Sequence, residues 1–350
     1  MAAHNSTKVL CAQVSHAFHA RQPLRIRAGN SKSFYGRNVD GNDISVVDHT
    51  GITEYRASEL VLTARSGTRL SEIEDTLAEN RQMLAFEPPV HGPHSTLGGS
   101  IASGLSGPRR PFAGAARDFV LGTTIINGKG EKLKFGGQVM KNVAGYDASR
   151  LMTGAQGTLG LLLDVSVKVL PQPESEITLC FEQDFEQAHG NLRQWILQGH
   201  PLSASCYFNH QLFVRLSSTV NGTRSAHTAI GGELHSTDLW TSLRHQTHEF
   251  FQQQQNLWRV SVPPSAEAIA SGKPQLTEWN GALRWIASDR ELFTEAKDAG
   301  GHATRYRLDG EVTDSIFQPL SATMLALHQR LKKSFDPENI LNPGRLYPGL

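Results

Sequence analysis

Cysteine is scarce: Cys11, Cys180 and Cys206 are the only three, and no two share C-x-x-C spacing. That excludes an iron–sulfur ligand frame and a dithiol redox motif within the chain. The bland reading is three reduced, semi-buried thiols, and no metal site is expected. Any cluster that takes electrons from this chain belongs to a partner. Long apolar runs are also missing. The richest, 159–163, is interrupted by Gly160 and followed by Asp164, far short of the roughly 20 residues of a spanning helix. The opening MAAHNSTKVL has no apolar stretch like a signal peptide. These absences point to a cytoplasmic chain with no transmembrane segment. Charge of one sign is lacking too: 34 Lys and Arg stand against 33 Asp and Glu, which gives no general pull toward nucleic acid. Two nucleotide motifs can be set aside. Gly128-Lys-Gly130 has no third glycine and leads into a strand, unlike a Rossmann turn, and no P-loop pattern occurs.

What remains is an ordinary globular composition, 39% hydrophobic and 19% charged over 350 residues, long enough for two domains. Glycine is concentrated: 15 of the 32 fall in 92–160, the density of tight turns and close backbone approach. Short strands are expected at 24–27, 44–48 and 60–64. A helix is expected over 71–80, capped by Thr68 or Ser71, and a hairpin over 120–135 turning at 127–130. A strand at 159–170 ends at Pro171 and Pro173. The Pro171-Gln-Pro-Glu stretch reads as a boundary between domains at 1–172 and 173–350. Beyond it come helices over 185–198, 238–252 and 316–334 and strands at 203–208 and 211–216, an α+β pattern.

Five loops carry the chemistry. In the first, a basic strand runs into Ala28-Gly-Asn-Ser-Lys32, whose successive N–H groups can form a nest for phosphate oxygens. Asn30 tolerates the positive φ such a turn needs. In the second, Gly98-Gly99 opens a short helix, and Ala102, Ser103, Gly104, Ser106 and Gly107 keep the following surface small. That suits the edge of a flat ring and a polyhydroxyl chain. The others are 117–122, 141–147 and 154–160. Between 101 and 150, eight Lys and Arg stand against three Asp and Glu. A pyrophosphate or a carboxylate ligand explains that excess.

In this order, the five loops resemble the FAD-binding domain of the vanillyl-alcohol oxidase/p-cresol methylhydroxylase superfamily. More closely, the chain resembles the FAD-binding E subunits of bacterial glycolate oxidases. The carrying segments are 81–89, SGPRRPFAGAARDFVLG at 106–122, FGGQVMKNVAGYDASRLMTG at 135–154 and FDPENILNPGRLYP at 335–348, with 280–285 and 299–305 extending the likeness. The resemblance implies a two-subdomain FAD-binding domain followed by a smaller α+β domain. It also implies that Ala28, Gly29, Asn30, Ser31, Lys32, Gly98 and Gly99 hold the pyrophosphate. Ala102, Ser103, Gly104 and Ser106 then line ribityl and flavin, with Arg117 and Asp118 alongside. Val120 meets the adenine, and Gly157, Thr158, Leu159 and Gly160 close over the cofactor. Where relatives attach flavin covalently, a histidine stands at the Ser31 position, so here the FAD is expected to be non-covalent. His91 and His94 read as loop-surface histidines.

The resemblance further implies a glycolate or similar 2-hydroxy acid substrate, a sister FAD-binding catalytic subunit and an iron–sulfur subunit. Any contact with the inner face of a membrane is then made through those partners. Related catalytic subunits carry an H-x-G-D-G-N-x-H motif and a later histidine cluster, and this sequence has neither. Its nearest stretches are Gly301-His302-Ala-Thr-Arg305 and Asp309-Gly-Glu311, and the candidates for catalysis are His302, Arg305 and Arg110. His302 reads as structural or interfacial, and His328 as a partly buried helix residue. A flavin-bearing electron relay is the alternative reading, and a free-standing sugar or lactone oxidase a further one.

Overall fold

The computed structural model describes residues 4–137, 147–308 and 315–350. Most of the fourth loop, 141–146, and Asp309-Gly-Glu311 therefore lie outside the described residues. The helix Thr7–Ala20 buries Leu10, Val14 and Ala17, the stripe that i, i+4, i+7 spacing produces. It is absent from the sequence expectations, although that spacing carries it. The stripe packs on a small parallel pair, Leu24–Arg27 beside Asn42–Ser45.

A five-stranded antiparallel sheet follows, in the order Ile52–Arg56, Val61–Arg65, Leu161–Lys168, Val120–Ile126, Lys132–Gly136. Its central strand, Leu161–Lys168, serves two cores. Leu161 and Leu163 face the N-terminal helix, whereas Leu162, Val165 and Val167 join Leu62, Leu70, Ile73, Leu77 and Phe86. The switch has a local cause. Register slips between Thr124↔Asp164 and Ile125↔Leu162, and one extra residue in a strand reverses which face its side chains take. The first half is thus two subdomains hinged on one strand, with a cleft between them.

The second half is built on an eight-stranded antiparallel sheet. One face carries the helices Phe185–Leu197, Val220–Ile230 and Phe293–Asp298. The other face turns Trp279, Trp285 and Tyr306 toward Tyr35 and Leu105 of the first half.

Several expected elements are corrected. The helix after residue 70 is Leu70–Ala78 with Arg69 at its N-cap, and no side chain caps it. Thr68 instead accepts the Gly51 N–H. The stretch 238–252 is two helices, Asp238–His245 and Glu249–Gln253, because Gln246 takes a left-handed conformation. The last helix is Ala322–Phe335 rather than 316–334. Phe317 bridges Thr304 in extended form, and Ser321 supplies the N-cap by accepting the Met324 N–H.

The chain also crosses its expected boundary at 172 a second time. After Ala322–Phe335 the tail returns to the first half. Leu341 forms a parallel bridge with Leu24, and Lys332 donates to the carbonyls of Thr158 and Leu341 and to Asp336, each at 2.7 Å. No helix among the described residues is long and apolar enough to cross a membrane.

Candidate cofactor cleft and domain interface

Between the two subdomains lies a cleft of about 460 Å³, within the range of small-ligand sites. Ile26 lines it from the parallel pair and Leu162 from the five-stranded sheet, with Val46 and Gly160 just outside those strands. Eleven residues expected at the cofactor are on its wall: Ala28, Gly29, Asn30, Ser31, Lys32, Gly98, Gly99, Ala102, Ser103, Gly157 and Gly160. Asn30 does take a positive φ, 55°. Seven expected residues do not line the cleft. Val120, Thr158 and Leu159 are buried in the fold. Gly104 ends its helix in a left-handed turn against Gly154. Ser106 accepts the Ala116 N–H, and Asp118 the Ala115 N–H. Arg117 is exposed beside them.

The glycines of the wall have different reasons. A Cβ on Gly29 would collide with the His94 carbonyl, and one on Gly98 would sit 2.6 Å from the Ser66 Cβ. Both are required by packing. A Cβ on Gly99 meets only the Thr96 hydroxyl, at 3.2 Å, so Gly99 presents bare backbone to the open cleft. Thr96 caps this short helix by accepting the Gly99 N–H. The buried hydroxyl of Ser66, on the cleft wall, has no partner among the described residues. This donor set fits a ligand with an anionic segment and many acceptors.

Lys32 reinforces that chemistry. No acceptor holds its ammonium among the described residues, and burial pushes its pKa down to about 8. An anion in the cleft favours the ammonium, so affinity for FAD should be greatest below pH 8. It should weaken as pH rises through 8, by up to about tenfold per unit. Titrating FAD into apoprotein between about pH 7 and pH 9.5 measures this, and Lys32→Met should flatten the profile.

The far wall includes residues that the sequence reading missed. Asn342 accepts the Ile26 N–H and donates to the Gln156 carbonyl, both at 2.7 Å. Arg345 donates to the Gln156 side chain at 3.0 Å and to the carbonyls of Ser33, Tyr35 and Arg37. The C-terminal tail thus ties the first loop to the 154–160 turn. The sequence signal was Asn342-Pro-Gly-Arg345, noted above only as part of a likeness.

The interface of the two halves sits next to the cleft. Arg109 is spent on Glu87, 3.2 Å away, and on Glu176, while Arg215 reaches Glu87 at 2.8 Å. That network spans both halves and leaves Arg109 no role with a ligand. His91 is not a surface loop histidine: its Nε2 hydrogen-bonds the Tyr306 hydroxyl at 3.2 Å. Burial, then Lys32, lowers its pKa to about 4. His94 is exposed, as expected. His302 opens the strand His302–Arg307, its pKa lowered by partial desolvation and by Arg259 and Arg110. Arg305 stacks on Trp258 at 5.1 Å. His328 lies half-buried, 6.4 Å from the Tyr347 ring. The structure thus brings His302 and Arg110 within electrostatic reach of each other, whereas Arg305 turns to Trp258.

This cleft between two subdomains, capped by a large antiparallel sheet, defines an FAD-binding oxidoreductase of the p-cresol methylhydroxylase fold. The solved structure of p-cresol methylhydroxylase with substrate bound superposes with a TM-score of 0.68 at 13% identity, covering 97% of this chain and 87% of that one. Residues 2–136 match the FAD binding domain family, and 316–346 match the C-terminal domain of FAD linked oxidases. Glycolate oxidase subunit GlcE of Escherichia coli is 45% identical over 347 residues, 98% of each chain. The chain belongs to the GlcE family. Glycolate oxidase subunit GlcD of Bacillus subtilis is 41% identical over 85 residues, 24% of this chain and 18% of its own.

Proposed function

We propose that this chain is the FAD-carrying subunit of a complex that oxidises glycolate or a similar small 2-hydroxy acid. Its partners are a sister flavoprotein subunit and an iron–sulfur subunit that receives the electrons. The observation that carries this reading is 45% identity across the whole length to a glycolate oxidase subunit. It is joined to a cleft whose wall includes eleven of the eighteen residues expected at the cofactor. Bound FAD supplies a two-electron acceptor for hydride from the hydroxyl-bearing carbon.

The chain's own residues bind and orient. Loop 28–32 offers backbone donors to the pyrophosphate, Gly99 leaves room for its close approach, and Ala102 and Ser103 leave room for the ribityl chain and ring. Ser31 offers no histidine for covalent attachment, so the FAD is releasable by acid. A base for the hydroxyl proton is the weak point of this chain. His91 is committed to Tyr306, and His302 sits exposed at a strand end. A positioned general base contributes about 10²–10⁴ in rate.

Rapid anaerobic mixing tests the proposal. Glycolate should reduce the flavin of the isolated chain at least about a hundredfold more slowly than that of the co-purified complex. Full reduction of the isolated chain at catalytic speed would overturn the division of labour. A complex inert toward glycolate would overturn the substrate.

A further inference from the structure

Arg110 and Arg259 reach the domain interface from opposite halves, Arg110 at the start of the short helix Arg110–Ala113 and Arg259 in the middle of the strand Leu257–Ser261. Both guanidiniums stack on one indole, 4.4 Å and 5.0 Å from the Trp279 ring centroid. Trp279 is itself fixed: it is buried, and its Nε1 donates to the Gly107 carbonyl at 3.0 Å. No hydrogen bond or ion pair holds either guanidinium among the described residues. The neighbouring arginines differ. Arg109 and Arg215 hold carboxylates, and Arg284 and Arg345 hold carbonyls.

The surrounding charge balances the pair only in part. Arg117 stands close enough to add to the positive field. Glu278 accepts from Trp285 Nε1 at 2.7 Å, and burial pushes its pKa up to about 7, so near neutral pH it is only partly ionised. Asp118, which accepts the Ala115 N–H, offsets part of the charge at Arg110. Tyr35, which lines the cofactor cleft, feels the Arg259 charge. The seat therefore adjoins the cleft. Two flat guanidinium forks beside an aromatic wall match a planar carboxylate, which accepts paired N–H bonds.

We propose that Arg110 and Arg259 together seat the carboxylate of a small organic acid at the domain interface beside the cofactor cleft. This rests on the function proposed above, because the acid is then that reaction's substrate or product. The site binds without supplying a base, as the slow chemistry expected of the isolated chain requires.

The test uses the FAD-loaded chain titrated with oxalate, which cannot donate hydride, while tryptophan fluorescence and flavin absorbance are followed. Arg110→Met and Arg259→Met should each weaken oxalate binding about ten- to a hundredfold, with FAD content unchanged. If a Met variant does not fold, Arg259→Lys keeps the test open and should lose part of the affinity. Unchanged oxalate affinity in the variants would overturn the seat. So would normal oxalate binding coupled with loss of partner co-purification, which would make the pair a protein contact. Arginine-dependent oxalate binding in a complex inert toward glycolate would support the seat and sink only the assigned substrate. A complex whose glycolate KM does not change in the variants would sink the seat and leave the function standing.

Discussion

Gly99→Val should give a folded chain that has lost most of its FAD, whereas Gly98→Val should fail to assemble the first domain. The two glycines are adjacent in one helix turn, yet their surroundings differ. The Gly98 Cβ position lies 2.6 Å from the Ser66 Cβ and 2.8 Å from the Ser66 carbonyl. The Gly98 N–H is also bonded to that carbonyl at 2.8 Å. Added carbon there must push apart the helix and the strand end it docks on, in a region with no slack. At Gly99 the nearest obstacle is the Thr96 hydroxyl, 3.2 Å away, which a small rotation relieves. Beyond it lies cleft, so the valine would occupy space that the cofactor needs. Thermal melts and FAD content per chain separate the two cases. A Gly99→Val chain purified with full FAD would show that the pyrophosphate lies elsewhere.

Lys332→Met should destabilise the first domain by about 3–5 kcal/mol. Lys332 and Asp336 are 4% and 1% exposed. Their 2.7 Å pairing is completed by two backbone carbonyls for the ammonium and by the N–H groups of Ile340 and Leu341 for the carboxylate. Desolvation lowers the Lys332 pKa, and Asp336 partly offsets it. Methionine removes the charge but keeps the length, leaving Asp336 buried without its cation. Two carbonyls, of Thr158 and Leu341, also lose a donor. The melting temperature of the FAD-free chain measures the loss. A shift of only a degree or two would mean that the pair contributes little.

Legibility in the sequence follows the kind of physics involved. The hairpin at 127–130, the helix from 185 and the strand before Pro171 were readable because local periodicity and turn residues determine them. The cleft's first wall was readable because glycine and small residues cluster in one stretch. The opposite wall was not. Asn342 and Arg345 are separated from Ile26 and Gln156 by about half the chain or more, and no local pattern announces which backbone they will meet. His91 misled for a similar reason: its loop looks exposed until Tyr306 arrives from the other half. Arg109 and Arg110 are neighbours of one type, yet one is neutralised across the interface and the other stacks on Trp279. Only the partner's position tells them apart. The split at Gln246 depends on a single left-handed residue within an otherwise continuous helical pattern.

The bridge between Leu24 and Leu341 has a consequence for synthesis on the ribosome. The parallel pair that forms one side of the cleft is completed by residues made more than 300 positions later. Contacts this distant form late, after most of the loop-closure entropy has been lost. The growing chain cannot finish the cofactor's housing until residues 341–345 have been made. FAD loading is then a step of maturation, and a nascent chain stalled before residue 340 should carry no flavin.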